Sequence, residues 1–274
     1  MITLDTGTDE LLCHIQDRVA TLTLNKPKKK NALGDIITPA LRRMLAVVED
    51  DHRVGCVLIT GAGNAFCSGG DVSGMAASDQ QPKTTAERVA DLTHKQATLT
   101  QRLFELDKPT IAALPGAAAG AGLSIALACD LRVAAESAFI ITAFANIGLS
   151  GDYGGTWFLP RLIGLAKAKE LYYFSERVTA AEAAQLGLVN KVFADVTFRQ
   201  EAFAYARKLA NGPTKALSRM KKNLNSGLDQ GLTDSLTMEA KHMILSGGTD
   251  ESREAIRAFI EKRSPRFNQI NAVD

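Results

Sequence analysis

The sequence predicts an α/β fold of alternating strand and helix units, followed by a C-terminal region that is helical throughout. Three observations carry this. Apolar-rich runs suited to buried strands stand at 56–60, 110–114 and 131–134, with stretches of helical spacing between them. The first two are too far apart in the chain for a hairpin, so mostly parallel pairing through crossovers of a dozen or more residues is expected. After Val192 the helical periodicity of 198–210, 214–225, 232–245 and 252–262 runs on without a strand between. The chain is therefore divided into a core at 1–195 and a helical region at 196–274.

In order along the chain, 12–16 and 19–25 are short apolar-rich runs split by Asp17 and Arg18, which reads as a hairpin. Ile36, Ile37, Leu41, Met44, Leu45 and Val48 recur at helical spacing, and Pro39 is tolerable there only in the first turn. A long helix is expected over 84–107, then the strand at 110–114, a turn of small residues, a helix ending at Cys129 and the strand from Leu131. Periodicity does not separate a flat doubly wound sheet from a spiral one.

Composition excludes several function classes. The 32 Lys and Arg nearly balance 30 Asp and Glu, and no basic face with interleaved aromatics argues for nucleic acid. His14, His52, His94 and His242 are scattered without metal-ligand spacing, so no metal site is expected. Cys13, Cys56, Cys67 and Cys129 form no CxxC pair and suit a reducing, cytoplasmic setting. The first dozen residues lack an apolar signal core and no run is long enough to span a bilayer, so no membrane partner is expected.

Two glycine-rich loops each follow a strand run: Gly61-Ala-Gly-Asn-Ala-Phe-Cys-Ser-Gly-Gly-Asp71 and Pro115-Gly-Ala-Ala-Ala-Gly-Ala-Gly122. Such loops either serve tight turns and close packing or expose backbone N–H groups to a ligand, and two amides converging on one oxygen make an oxyanion hole. Neither loop closes with the Gly-Lys-Ser/Thr of a phosphate loop, and the second lacks a dinucleotide fingerprint.

With Asn25-Lys-Pro-Lys-Lys-Lys-Asn-Ala-Leu33, Ala65-Phe-Cys-Ser-Gly-Gly-Asp-Val72 and the 116–130 segment in this order, the chain resembles the crotonase (enoyl-CoA hydratase/isomerase) proteins from about Leu12 to Phe267. The resemblance implies a ClpP-like spiral of strand–strand–helix units with a helical C-terminal region that drives assembly into a homotrimer or dimer of trimers. It also implies an acyl-CoA thioester substrate and no separate cofactor, since coenzyme A is part of that substrate. Carried over by position, Gly70 and Ala121 would supply the oxyanion amides. Gly70, Asp71, Val72 and Ser73 would line the coenzyme A path, Lys28 and Ala32 would flank the nucleotide, and Phe259 and Lys262 would reach a neighbouring subunit's coenzyme A. Of the loop lysines, one or two would meet phosphate and the rest would be solvated.

The chain departs from a hydratase of that family at both water-activating glutamates. Their positions fall on Ser124 and Phe144, and no glutamate occurs between Glu105 and Glu136 or between Glu136 and Glu170. What remains is Asp152, in Ile147-Gly-Leu-Ser-Gly-Asp-Tyr-Gly-Gly-Thr-Trp157, where the family's ring-epoxide and double-bond isomerases of the phenylacetate-degradation type carry an aspartate. A single carboxylate that moves a proton between carbons, with two amides holding the enolate, is a complete isomerase. The competing readings are a helix N-cap for Asp152, a divergent hydratase in which Asp152 alone positions water, and a non-catalytic acyl-CoA-binding trimer. Cys67, close to Gly70, is expected to be a packed thiol.

Overall fold

A computed structural model describes residues 1–71 and 84–267. The N-terminal hairpin is present as β2 (Leu11–Gln16) and β3 (Val19–Leu24), with β1 (Ile2–Leu4) added antiparallel to β2. Asp17 and Arg18 turn the hairpin with φ of 47° and 65°. Helix α1 (Ile37–Asp50) places Pro39 in its first turn and buries Ile37, Leu41, Met44, Leu45 and Val48 on one face, which is what the apolar spacing requires.

From here the chain repeats a two-strand step. The wholly buried strand β4 (Cys56–Gly61) is followed by the short β5 (Ala65–Cys67), and after helices α2 (Thr85–Gln96) and α3 (Arg102–Glu105) come β6 (Thr110–Leu114), β7 (Ala117–Ala119) and α4 (Ala121–Ala128). The third step is β8 (Leu131–Ala135) and β9 (Phe139–Ile141), then α5 (Gly155–Ile163) and α6 (Leu165–Phe174). β10 (Val178–Thr179), α7 (Ala180–Gln185) and β11 (Lys191–Phe193) complete the core.

One sheet takes the order β1-β2-β3-β4-β6-β8-β11 and is parallel from β3 onward; the other takes β10-β9-β7-β5, with β5, β7 and β9 parallel. Each circuit thus lays its first strand in the long sheet and its second in the short one. That makes the chain a spiral of strand–strand–helix units, and it resolves what periodicity left open. The strands of the short sheet are two or three residues long, so they carried no readable alternation.

Among the described residues four helices follow: α8 (Phe198–Ala210), α9 (Thr214–Ser226), α10 (Leu232–Gly247) and α11 (Asp250–Ile260). The first lies across β3, β4, β8 and β11 and buries Phe198, Ala202, Ala206 and Ala210 against them. The other three bury almost nothing within the chain, and Leu232, Leu236, Met243 and Ile244 are largely exposed.

The stretch expected as one helix over 84–107 holds a π-helical turn at Ala97–Gln101 between α2 and α3. Thr98 and Thr100 donate their hydroxyls to the carbonyls of His94 and Gln96, at 2.8 and 3.2 Å, and such back-bonding loosens the ladder at the wider turn. Among the described residues no helix is long and apolar enough to cross a membrane.

Candidate active site

Strand pairing brings the two glycine-rich loops side by side. β5 pairs in parallel with β7, so the segment after Cys67 and the segment after Ala119 leave the short sheet together. A Cβ on Gly69 (φ +95°) would stand 3.1 Å from the Ala119 carbonyl oxygen and 3.7 Å from the Ala121 nitrogen. A side chain there would crowd the second loop, and the positive φ itself favours glycine.

The Leu33 amide donates to Gly69 O at 2.8 Å and the Asp71 amide donates to Leu33 O at 2.8 Å. That bridge uses the groups on either side of Gly70 and leaves the Gly70 N–H without a backbone acceptor among the described residues. Ala121 is the first residue of α4, so its N–H has no partner one turn back, and the first helical bond runs from Ser124 N to Gly120 O at 3.0 Å. Two amides from adjacent loops, one at a helix N-terminus, are thus left without a backbone acceptor among the described residues.

Asp152 stands on a strained turn. Gly151, Tyr153 and Gly154 have φ of 111°, 51° and 78°, and a non-glycine residue such as Tyr153 in that region is uncommon. The N-cap of α5 is Gly154, with no side-chain cap, so the capping reading of Asp152 is not realised; only its backbone carbonyl accepts, from Gly155 N at 3.3 Å. Asp152 Oδ1 is shut off from solvent and has no hydrogen-bond partner among the described residues. Burial raises this carboxyl to about 6, inside the range useful for proton transfer near neutral pH.

The turn carrying Asp152 packs on the first turns of α4. A Cβ on Gly155 would fall 2.4 Å from Tyr172 Oη and 2.5 Å from Ser124 Oγ, so Tyr172, Ser124 and this turn share one small volume. The phenol of Tyr172 is raised to about 12, first by burial and then by the negative charge of Asp152. Phe144 stacks on Tyr172 with ring centres 6.1 Å apart, and its ring tip lies 3.8 Å from where a Cβ of Gly120 would be. Ser124 and Phe144, where the resemblance would put a hydratase's two glutamates, thus bring a buried hydroxyl and a buried ring to this volume. Tyr172 escaped the sequence reading because its helix meets the Asp152 turn only through packing.

The lysine loop is laced to the first glycine-rich loop. Ser68 N donates to Lys30 O at 3.0 Å, and buried Asn31 ties the loop down through Nδ2 to Ala62 O at 3.0 Å and to Ala65 O at 2.8 Å. Ala32 is buried beside this seam. Asp71 pairs with Lys29 at 3.0 Å and Lys26 at 3.6 Å, and Lys30 reaches Asn64 at 2.7 Å. Lys28 is exposed and, among the described residues, makes no ion pair. Val72 and Ser73 lie outside the described residues.

Phe259 is 85% exposed on α11, and Lys262 follows that helix with φ 53°. The structure does not bring either one to the loops of its own chain: α11 packs on α10. Cys67 is fully buried, and burial pushes its thiol up to about 12, as a packed rather than a reactive thiol requires. At the far end of α4, buried Arg132 donates to the carbonyls of Cys129 at 2.7 Å and of Ala126 and Leu127 at 3.4 Å.

The family model described as enoyl-CoA hydratase/isomerase matches residues 14–270. The 1,2-epoxyphenylacetyl-CoA isomerase of Escherichia coli (strain K12) is 37% identical over 257 residues, covering 94% of this chain and 97% of that protein. The short-chain-enoyl-CoA hydratase of Clostridium acetobutylicum is 32% identical over 249 residues, covering 90% and 93%. The crystal structure of an enoyl-CoA hydratase from Polaromonas sp. JS666 superposes with a TM-score of 0.87 at 34% identity, covering 93% of this chain and 98% of that one.

Proposed function

The chain belongs to the enoyl-CoA hydratase/isomerase family, and on that premise we propose that it is an isomerase of unsaturated or ring-epoxidised acyl-CoA thioesters. In this reading Asp152 takes a proton from the α or γ carbon and returns it to another carbon. The N–H groups of Gly70 and Ala121 hold the thioester oxygen while it carries the enolate charge.

The observation that supports this best is the replacement of both glutamates by Ser124 and Phe144 beside one carboxylate, Asp152, whose buried oxygen has no partner among the described residues. One acid/base group suffices to shift a proton, whereas the hydratases of the resemblance rely on two. The E. coli isomerase among the relatives points the same way. A hydratase in which Asp152 alone positions water is the competing reading, supported by the likeness to the clostridial hydratase.

Parallel incubation with a 3-enoyl-CoA and a 2-enoyl-CoA decides between them. The expected product is a shifted double bond, with deuterium entering from solvent at the reacting carbons. A 3-hydroxyacyl-CoA as the main product would refute the isomerase.

Coenzyme A is proposed to run along the seam between Lys28, Ala32 and Asp71, with Val72 and Ser73 continuing it and Phe259 and Lys262 contributed by a neighbouring copy. The division into a core at 1–195 and an assembly region at 196–274 belongs to this proposal, with one adjustment inside the region. Phe198, Phe203 and Leu209 are not available for assembly, since they pack against the chain's own core where α8 covers the long sheet. Leu236 and Ile244, 54% and 78% exposed, remain for a partner. The expected mass in light scattering is three or six times that of the chain, and a monomer at micromolar concentration would count against the shared coenzyme A site.

A further inference from the structure

Two cavities of similar size, about 430 and 450 Å³, share three aromatic rings in their walls: Phe104, Trp157 and Phe158 line both. The first cavity opens beside the Asp152 turn, since Gly154 forms part of its wall, and is otherwise bounded by α2, the π-helical turn, Glu105 and Asp229. The second lies beneath α9 and is walled by Leu127, Leu131, Leu217, Met220 and Leu224.

The three rings interlock. Phe104 meets Trp157 edge-on at 5.2 Å and Phe158 at 5.6 Å, and Trp157 meets Phe158 edge-on at 5.0 Å. The guanidinium of Arg161 covers the Trp157 ring at 3.8 Å, donates to the Trp157 carbonyl at 3.1 Å and pairs with Asp229 at 3.3 Å. Phe104 is held from the other side, its carbonyl accepting from Asn225 Nδ2 at 2.9 Å. Interlocked rings fixed at both ends make a stiff wall.

We propose that this three-ring wall sets the upper length of the acyl group, closing the cavity next to the reacting carbons off from a second apolar cavity of equal size. The inference rests on the reading of Asp152 as the group at the reacting carbons, because that places the acyl tail in the first cavity. Trimming the wall joins the two spaces, and burial of each further pair of methylenes then raises affinity by roughly tenfold.

The test uses saturated acyl-CoAs, which bind without a double bond to shift. Dissociation constants for butanoyl-CoA and dodecanoyl-CoA are measured on wild type, Phe104→Leu, Trp157→Leu and the double variant Trp157→Leu/Leu217→Trp, which refills the far cavity. The expected result is a rise of roughly tenfold or more in the preference for dodecanoyl-CoA over butanoyl-CoA in both single variants, cancelled in the double variant. A preference unchanged in both single variants, or a gain that survives Leu217→Trp, overturns the proposal. Binding of neither ligand by wild type strikes at the acyl-CoA reading itself and takes the wall with it. A failure of Asp152 as the proton carrier leaves these affinities unmoved, so the two readings fail separately.

Discussion

Asp152→Asn is expected to lower the rate of double-bond migration on the order of 100-fold or more, the usual range for loss of an acid/base group, while acyl-CoA binding persists. The amide keeps the shape of the side chain but takes no proton from carbon. Near-wild-type turnover by the Asn variant would sink the mechanism and move attention to Tyr172. The wild-type pH profile supplies a second check: the base must be ionised, so kcat/KM should fall on the acid side with a limb near the raised value of about 6.

Stability carries the opposite sign. The folded carboxyl keeps its proton up to about 6, against an ordinary value of 3.8, so between those values the folded state binds more protons than the unfolded one. Stability therefore falls as pH rises through that window, and the cost is full above it. Thermal unfolding of Asp152→Asn should lack this loss, leaving the variant at least as stable as wild type at neutral pH.

Gly70→Pro removes one of the two free amides and should lower turnover by roughly 100- to 1000-fold, with a smaller effect on affinity. Gly70→Ala keeps the N–H and separates loss of the donor from disturbance of the loop. The two variants are expected to differ by at least about tenfold in kcat, and equal losses in both would place the oxyanion donor elsewhere.

Much of the fold was legible because its long sheet is made of buried runs and its C-terminal helices have clean apolar periods. The strand Cys56–Gly61 and the helix Phe198–Ala210 stand within a residue of where spacing puts them. The short sheet was not legible: Ala117–Ala119 is three alanines with no β-branched residue, and only pairing with β5 and β9 makes it a strand. For the site, the loop glycines and Asp152 could be named because their residue types are uncommon in that pattern. Tyr172 and the Phe104, Trp157 and Phe158 rings could not, since an aromatic at helical spacing reads as core until its neighbours are known. Ser124 and Phe144 occupy an intermediate place, visible as substitutions yet silent about the shared volume that they enclose.

The buried Arg132 has a consequence at the opposite end of its helix. Eight residues at 1.5 Å each make α4 only about 12 Å long, so its negative pole lies close enough to cancel part of the positive pole felt at Ala121. A guanidinium seated on the last carbonyls cancels that negative pole instead. What reaches the reaction space is then closer to the field of a partial positive charge than to that of a dipole, and it decays more slowly with distance. In the proposed reaction, an enolate whose charge spreads from the thioester oxygen towards the γ carbon would move away from the amides of Gly70 and Ala121, and a long-ranged potential would follow it where hydrogen bonds at fixed positions would not.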